Sequence, residues 1–134
     1  MTDSKPCVLI IEDNPTILKT LGNILKEDYS VLAAKNGEKG IASARKNNPD
    51  IILLDIMMPG MTGFDVIEVL KSDDATKNIP VIFLTGDGSA NSKEKGFKLG
   101  AADYIKKPFI ENDVKECVRS SINTKLKYID QINL

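Results

Sequence analysis

The chain has 134 residues, enough for one domain with a sizeable buried core. Apolar residues make up 42% and charged residues 28%, and the net charge of -1 gives no electrostatic reason to expect nucleic acid or an anionic membrane as a direct partner. Histidine is absent, which excludes imidazole acid–base catalysis, the usual nucleophilic triads and histidine metal sites.

The opening MTDSKP has no apolar signal core, and no segment approaches the roughly 20 apolar residues of a membrane span, so the expected compartment is the cytoplasm. Val8 to Ile11 is a short apolar run that reads as a buried strand, ending in Glu12-Asp13-Asn14-Pro15. Asn14 is placed to cap a helix and Pro15 to start it. Ile17, Leu18, Leu21, Ile24 and Leu25 follow at helical spacing. Tyr29 to Ala33 is the second strand candidate, broken by Asn36-Gly37, and residues 38–47 form a second helix with a thin apolar face of Ile41 and Ala44. Ile51 to Asp55 is the third strand, four apolar residues closed by an acid, with Pro59, Gly60 and Gly63 in the loop behind it.

Phe64, Val66, Ile67, Val69 and Leu70 give the third helix its apolar face. Val81 to Leu84 is the fourth strand, followed by the polar loop Thr85-Gly86-Asp87-Gly88. Residues 91–99 read as a weak helix whose large apolar residues are Phe97 and Leu99, with Gly100 at its end. Tyr104-Ile105 is a short last strand closed by Lys107-Pro108-Phe109, and a final helix starts near Glu111. Val114, Cys117, Val118, Ile122, Leu126, Ile129 and Ile132 keep helical spacing almost to the last residue. Cys7 and Cys117 have no metal or CxxC spacing and read as reduced, buried thiols.

Strands alternating with helices imply an α/β fold, a doubly wound parallel sheet of five strands flanked by five helices. A parallel sheet gathers its strand C-termini at one edge, where open α/β sheets place their chemistry. That edge here receives Glu12, Asp13, Asp55, Thr85 and Lys107. Three carboxylates held together repel, and at least one has its pKa raised unless a cation intervenes. An all-oxygen donor set suits Mg²⁺. A carboxylate beside such an ion is a competent nucleophile toward phosphorus. Phosphoryl transfer needs mainly positioning and charge neutralisation, which an ammonium and a hydroxyl can supply.

In this order and spacing, Glu12-Asp13, Asp55 with MMPGMTG behind it, Thr85-Gly86 and Lys107-Pro108-Phe109 resemble the receiver domains of two-component response regulators. The resemblance runs from about Cys7 into the final helix. It implies the flavodoxin-like strand order 2-1-3-4-5 and a Mg²⁺-dependent phosphoacceptor role for Asp55. Asp13 is implied as a direct metal ligand, Glu12 as a water-bridged one, and the backbone carbonyl of Met57 as a third contributor beside Asp55. Lys107 is implied to contact the phosphoryl group, with a cis bond to Pro108. Thr85 is implied as the switch hydroxyl and Tyr104 as the switch aromatic, which enters space beneath the fourth helix as Thr85 moves toward the phosphoryl group.

The implied partners are a sensor histidine kinase or phosphotransfer protein upstream, and an output domain or protein reading the fourth helix, fifth strand and fifth helix. A receiver within a hybrid kinase is the alternative. Met57 and Asp87 sit where the resemblance implies control of the acyl phosphate's lifetime. Residues 1–125 are expected to form the receiver, and 126–134 a helical extension acting as a linker or a phosphorylation-dependent dimer seam. Two rivals fit the residues less well. An aspartyl phosphatase typically carries DxD after its first strand, where this chain has Glu12-Asp13-Asn14. A flavodoxin-like cofactor binder needs a Gly- or hydroxyl-rich loop there.

Overall fold

A computed structural model describes residues 5–86 and 89–132, with side chains through Thr124. Asp87, Gly88 and the side chains of Leu126, Ile129 and Ile132 therefore lie outside the described residues. The elements run β1 (Cys7–Ile11), α1 (Pro15–Leu25), β2 (Ser30–Ala34), α2 (Gly37–Asn47), β3 (Ile51–Asp55), α3 (Gly63–Lys71), β4 (Val81–Thr85), α4 (Ala90–Lys98), β5 (Asp103–Lys106) and α5 (Glu111–Ile132). All strand pairs are parallel, in the order β2-β1-β3-β4-β5. Fold, order and alternation are as expected.

Local chemistry sets the element ends. Asn14 Oδ1 accepts from the Thr16 and Ile17 amides at 2.9 and 3.2 Å, and Pro15 occupies the first turn, where its missing N–H costs nothing. Asn36 Oδ1 caps α2 through the Lys39 amide at 2.8 Å. Thr62 and Asp65 form a reciprocal capping box at the start of α3. At the end of α4 the cap residue is Leu99, and Gly100 follows it at φ +108°, a conformation that favours glycine. β2 begins at Ser30, one residue later than the apolar pattern suggests. As an edge strand it leaves Val31 and Leu32 only half-buried, which weakens its signal.

Period-two alternation in the strands divides the core into two layers. Leu9, Ile11, Ile52, Leu54, Val81 and Phe83 face α2 and α3, meeting Ile41, Ala44, Val66, Ile67 and Leu70. Val8, Ile10, Ile51, Leu53, Ile82 and Leu84 face α1 and α5, meeting Leu21, Leu25, Val114, Val118 and Ile122. β3 and β4 are buried along their whole length, so Asp55 and Thr85 at their ends have fixed backbones. α4 is different: Gly96 is its one buried residue, and Phe97 stays half exposed. Such a helix belongs to the low-stability end of the structure. Cys7 and Cys117 are free thiols but only half-buried, a correction to full burial. Cys117 Sγ lies 3.4 Å from Asp103 Oδ2. Burial first and then the Asp103 charge push the Cys117 thiol up to about 12, so it stays protonated and unreactive. Among the described residues no helix is long and apolar enough to cross a membrane.

Candidate functional site

The strand ends converge as the sequence predicts. Glu12 and Asp13 leave β1, Asp55 closes β3, Thr85 closes β4, and Lys107 follows β5. Register brings these ends together: Asp55 pairs with Leu84, Thr85 pairs with Lys106, and the Lys107 amide donates to the Thr85 carbonyl at 2.8 Å. The Lys107–Pro108 bond is cis.

Glu12, Asp13 and Asp55 each offer a carboxylate oxygen, and these oxygens all lie within 4.8 Å of one another. Glu12 and Asp55 are buried, whereas Asp13 is exposed at the mouth. Lys107 Nζ stands between the buried pair, 3.1 Å from Glu12 Oε1 and 3.2 Å from Asp55 Oδ1. The Asn14 amide donates to the other Glu12 oxygen at 3.2 Å. Thr85 is buried beside them at the end of β4. Met57 lies in the loop after Asp55 and is 76% exposed.

The electrostatics follow from this crowding. Burial, then the hydrogen bond and charge of Asp55, outweigh Lys107 and the Asn14 amide and raise the Glu12 carboxyl to about 7. Burial alone would depress the Lys107 ammonium, but its hydrogen bonds to Glu12 and Asp55 and their charges outweigh burial and raise it. The cluster thus has three acids for one resident cation. A hard divalent ion fits this shortage, because every donor is oxygen and Asp13 remains open to solvent.

A measurable pH effect is expected in the metal-free protein. The folded chain holds the Glu12 proton more tightly than an unfolded chain with its ordinary value of 4.5. The stability this adds is complete below about pH 4.5 and lost as the pH rises through about 7. Denaturant unfolding in chelator should therefore show the wild type losing more stability across that window than Glu12→Gln. Parallel profiles for the two proteins would contradict it.

Tyr104 packs against α4. Its hydroxyl donates to the Ser92 and Lys93 carbonyls at 2.8 and 3.0 Å. Its ring meets Phe83 and Phe97 at centroid distances of 5.7 and 5.1 Å. The aromatic therefore already lies beneath the fourth helix, where the sequence reading has it arrive only as Thr85 moves. Sequence reasoning found every charged member of the cluster. It missed Gly63, read only as loop punctuation. A Cβ there would lie 2.5 Å from the Asp55 carbonyl oxygen and 2.7 Å from Ile56 Cα. The Gly63 amide also donates to the Ile56 carbonyl at 2.8 Å, so α3 starts directly on the backbone that carries the acid.

A doubly wound α/β sheet with an acidic cluster at its C-terminal edge and a lysine across from it defines a CheY-like fold. Residues 8–119 match the response regulator receiver domain, and the chain belongs to that family. It is 39% identical to Protein PilH of Pseudomonas aeruginosa over 84% of its own length and 94% of PilH. It is 38% identical to hybrid signal transduction histidine kinase D of Dictyostelium discoideum over 83% of its length, but spans only 7% of that kinase. Other curated relatives are also matched over a part of their length, from 9% to 52%. Among solved structures, chemotaxis protein CheY4 of Vibrio cholerae superposes with a TM-score of 0.85 at 28% identity, covering 88% of this chain and 99% of that one.

Proposed function

We propose that this receiver domain accepts a phosphoryl group on Asp55 in a Mg²⁺-dependent reaction and passes the event to its α4-β5-α5 surface. The observation that carries the reading is Lys107 Nζ, 3.2 Å from Asp55 Oδ1 inside a three-carboxylate cluster. Asp55 is the nucleophile. Glu12, Asp13, Asp55 and the backbone carbonyl of Met57 would hold the Mg²⁺, which neutralises phosphoryl charge when bound. Lys107 meets a second phosphoryl oxygen, and the Thr85 hydroxyl a third. The buried strand ends keep these groups aligned without an ordering cost at the moment of transfer.

An aspartyl phosphate carries roughly -1.5 to -2 charge in place of the carboxylate's single negative charge, where one lysine already serves two carboxylates. Thr85 and Lys107 are drawn to that charge, and both are joined by backbone to the β4–β5 edge. Thr85 and Tyr104 form the switch, and α4 is anchored weakly enough for a modest bias to move it. Tyr104, Lys106, Ile110 and Cys117 line a groove beside β5 that offers the output partner both apolar and charged contacts.

The donor is a sensor histidine kinase or a phosphotransfer protein, and the reader is an output domain or protein in the cytoplasm. Residues 1–125 make up the receiver, and 126–134 serve as a linker or dimer seam. The backbone of α5 runs unbroken across that boundary. The homodimer is tested by sedimentation with Asp55 phosphorylated, a purely monomeric profile counting against it.

Incubation with Mg²⁺ and acetyl phosphate tests the function. One labile phosphoryl group per chain, absent in chelator, is the expected result. Phosphate release with no phosphoryl group accumulating on the chain indicates a phosphatase instead, and neither incorporation nor release removes both readings. Met57 supplies a further prediction. Two residues after Asp55, its apolar side chain is expected to hold attacking water away, so Met57→Asn should shorten the phosphoryl half-life. An unchanged decay rate, followed by intact mass after removal of the donor, would refute this.

A further inference from the structure

We propose that Gly96 is the positioning residue for Tyr104: the missing side chain on α4 is the space that the tyrosine hydroxyl occupies. The inference deepens the reading of Tyr104 as a switch residue and rests on it for its regulatory meaning.

Glycine is the poorest helix former after proline. It nevertheless stands inside α4, the helix with least purchase on the core, and it is that helix's one buried residue. Nothing about helix stability accounts for it there. Its surroundings do. A Cβ built on Gly96 would fall inside the van der Waals envelope of Tyr104 Oη, and would lie 2.9 Å from Tyr104 Cζ and 3.0 Å from Phe83 Cδ2. Phe83 is fully buried and cannot withdraw without opening the core. The Tyr104 hydroxyl is held by the Ser92 and Lys93 carbonyls, one turn before Gly96 on the same helix. The docked tyrosine thus fits α4 only while residue 96 has no side chain. With glycine present, the ring rests under the helix before any phosphoryl group arrives. With alanine, the ring is driven outward, and the switch begins from the opposite end of its travel.

Stability carries a signature that a merely structural glycine cannot produce. In a chain whose tyrosine has been removed by Tyr104→Ala, the space left by the ring lets Phe83 yield the small distance that a Cβ at 3.0 Å requires, so Gly96→Ala should behave as an ordinary helix substitution and raise the Tm by about 2–4 °C. In the otherwise wild-type chain the same Gly96→Ala should lower the Tm. In a Tyr104→Phe background, which lacks only the hydroxyl, the loss should be smaller than in wild type. Ring resonances of Tyr104 in the wild type and in Gly96→Ala should report the loss of contact with Phe83. This reversal of sign is the expected result, and a Tm raised by Gly96→Ala in all three backgrounds overturns the proposal. None of these measurements involves Asp55. The separate question is answered by phosphorylating the wild type with acetyl phosphate and Mg²⁺. Tyr104 resonances unmoved by phosphorylation would leave Gly96 as the tyrosine's seat and remove Tyr104 from the switch.

Discussion

Lys107→Met should slow acetyl phosphate labelling of this chain by about 100-fold or more, the usual consequence of removing one preorganised donor from a charge-stabilising site. The ammonium is the single cation the described site residues supply, 3.1 Å from Glu12 and 3.2 Å from Asp55. In the resting protein it offsets their repulsion, and during transfer it meets charge on the phosphoryl oxygens. Breaking a buried ion pair ordinarily costs about 3–5 kcal/mol. Here Glu12 softens that loss, because its carboxyl, already raised to about 7, can keep its proton. The variant should therefore fold yet label slowly. Lys107→Arg keeps the charge but not the compact geometry, and should recover only part of the rate. Labelling of Lys107→Met within threefold of wild type, followed by intact mass over time, would show that the lysine is structural only.

Gly63→Ala should be the most damaging single methyl that can be added near the site. The new carbon would press on the Asp55 carbonyl oxygen at 2.5 Å and on Ile56 Cα at 2.7 Å, and both are backbone atoms. Side chains can rotate away from an intruding methyl, but a backbone at the end of a fully buried strand cannot. Overpacking of this kind costs about 1–3 kcal/mol and sometimes more, equivalent to a Tm loss of about 5–10 °C in a domain of this size. Because the displaced atoms belong to the acid itself, labelling should fall as well, even at temperatures where the variant is fully folded. A variant that melts and labels like wild type would mean that the loop from Ile56 to Thr62 has slack that the geometry does not show.

The parts of this molecule that the sequence reveals are those governed by local patterns. Ile51 to Asp55 reads as a buried strand because it is apolar on both faces, and its boundaries match the structure. Asn14-Pro15 reads as a helix start because the cap and the missing amide are properties of those two residues. The convergence of Glu12, Asp13, Asp55 and Lys107 follows from alternation alone, since parallel strands must end at one edge.

What the sequence conceals depends on contacts between distant segments. The resemblance makes Asp13 a direct metal ligand and Glu12 a water-bridged one, and only the fold shows that Glu12 is the more enclosed of the two, held 3.1 Å from Lys107 of a distant segment. Glycine at 63 signals a turn, but only the fold shows that it rests on the acid's own backbone. Tyr104 reads as a switch aromatic, but nothing in its own strand shows that it meets α4 at Gly96, where a Cβ would strike its hydroxyl. The half-buried β2 gives too faint an alternation to fix its first residue.

The central claim is that Asp55 itself takes the phosphoryl group. Reduction of the Mg²⁺- and acetyl-phosphate-treated protein with borohydride, followed by peptide mass mapping, tests it directly, since only an acyl phosphate is converted to the alcohol. Modification confined to Asp55, and lost in Asp55→Asn, is the predicted result. A reduced residue elsewhere, or undiminished labelling of Asp55→Asn, would contradict it.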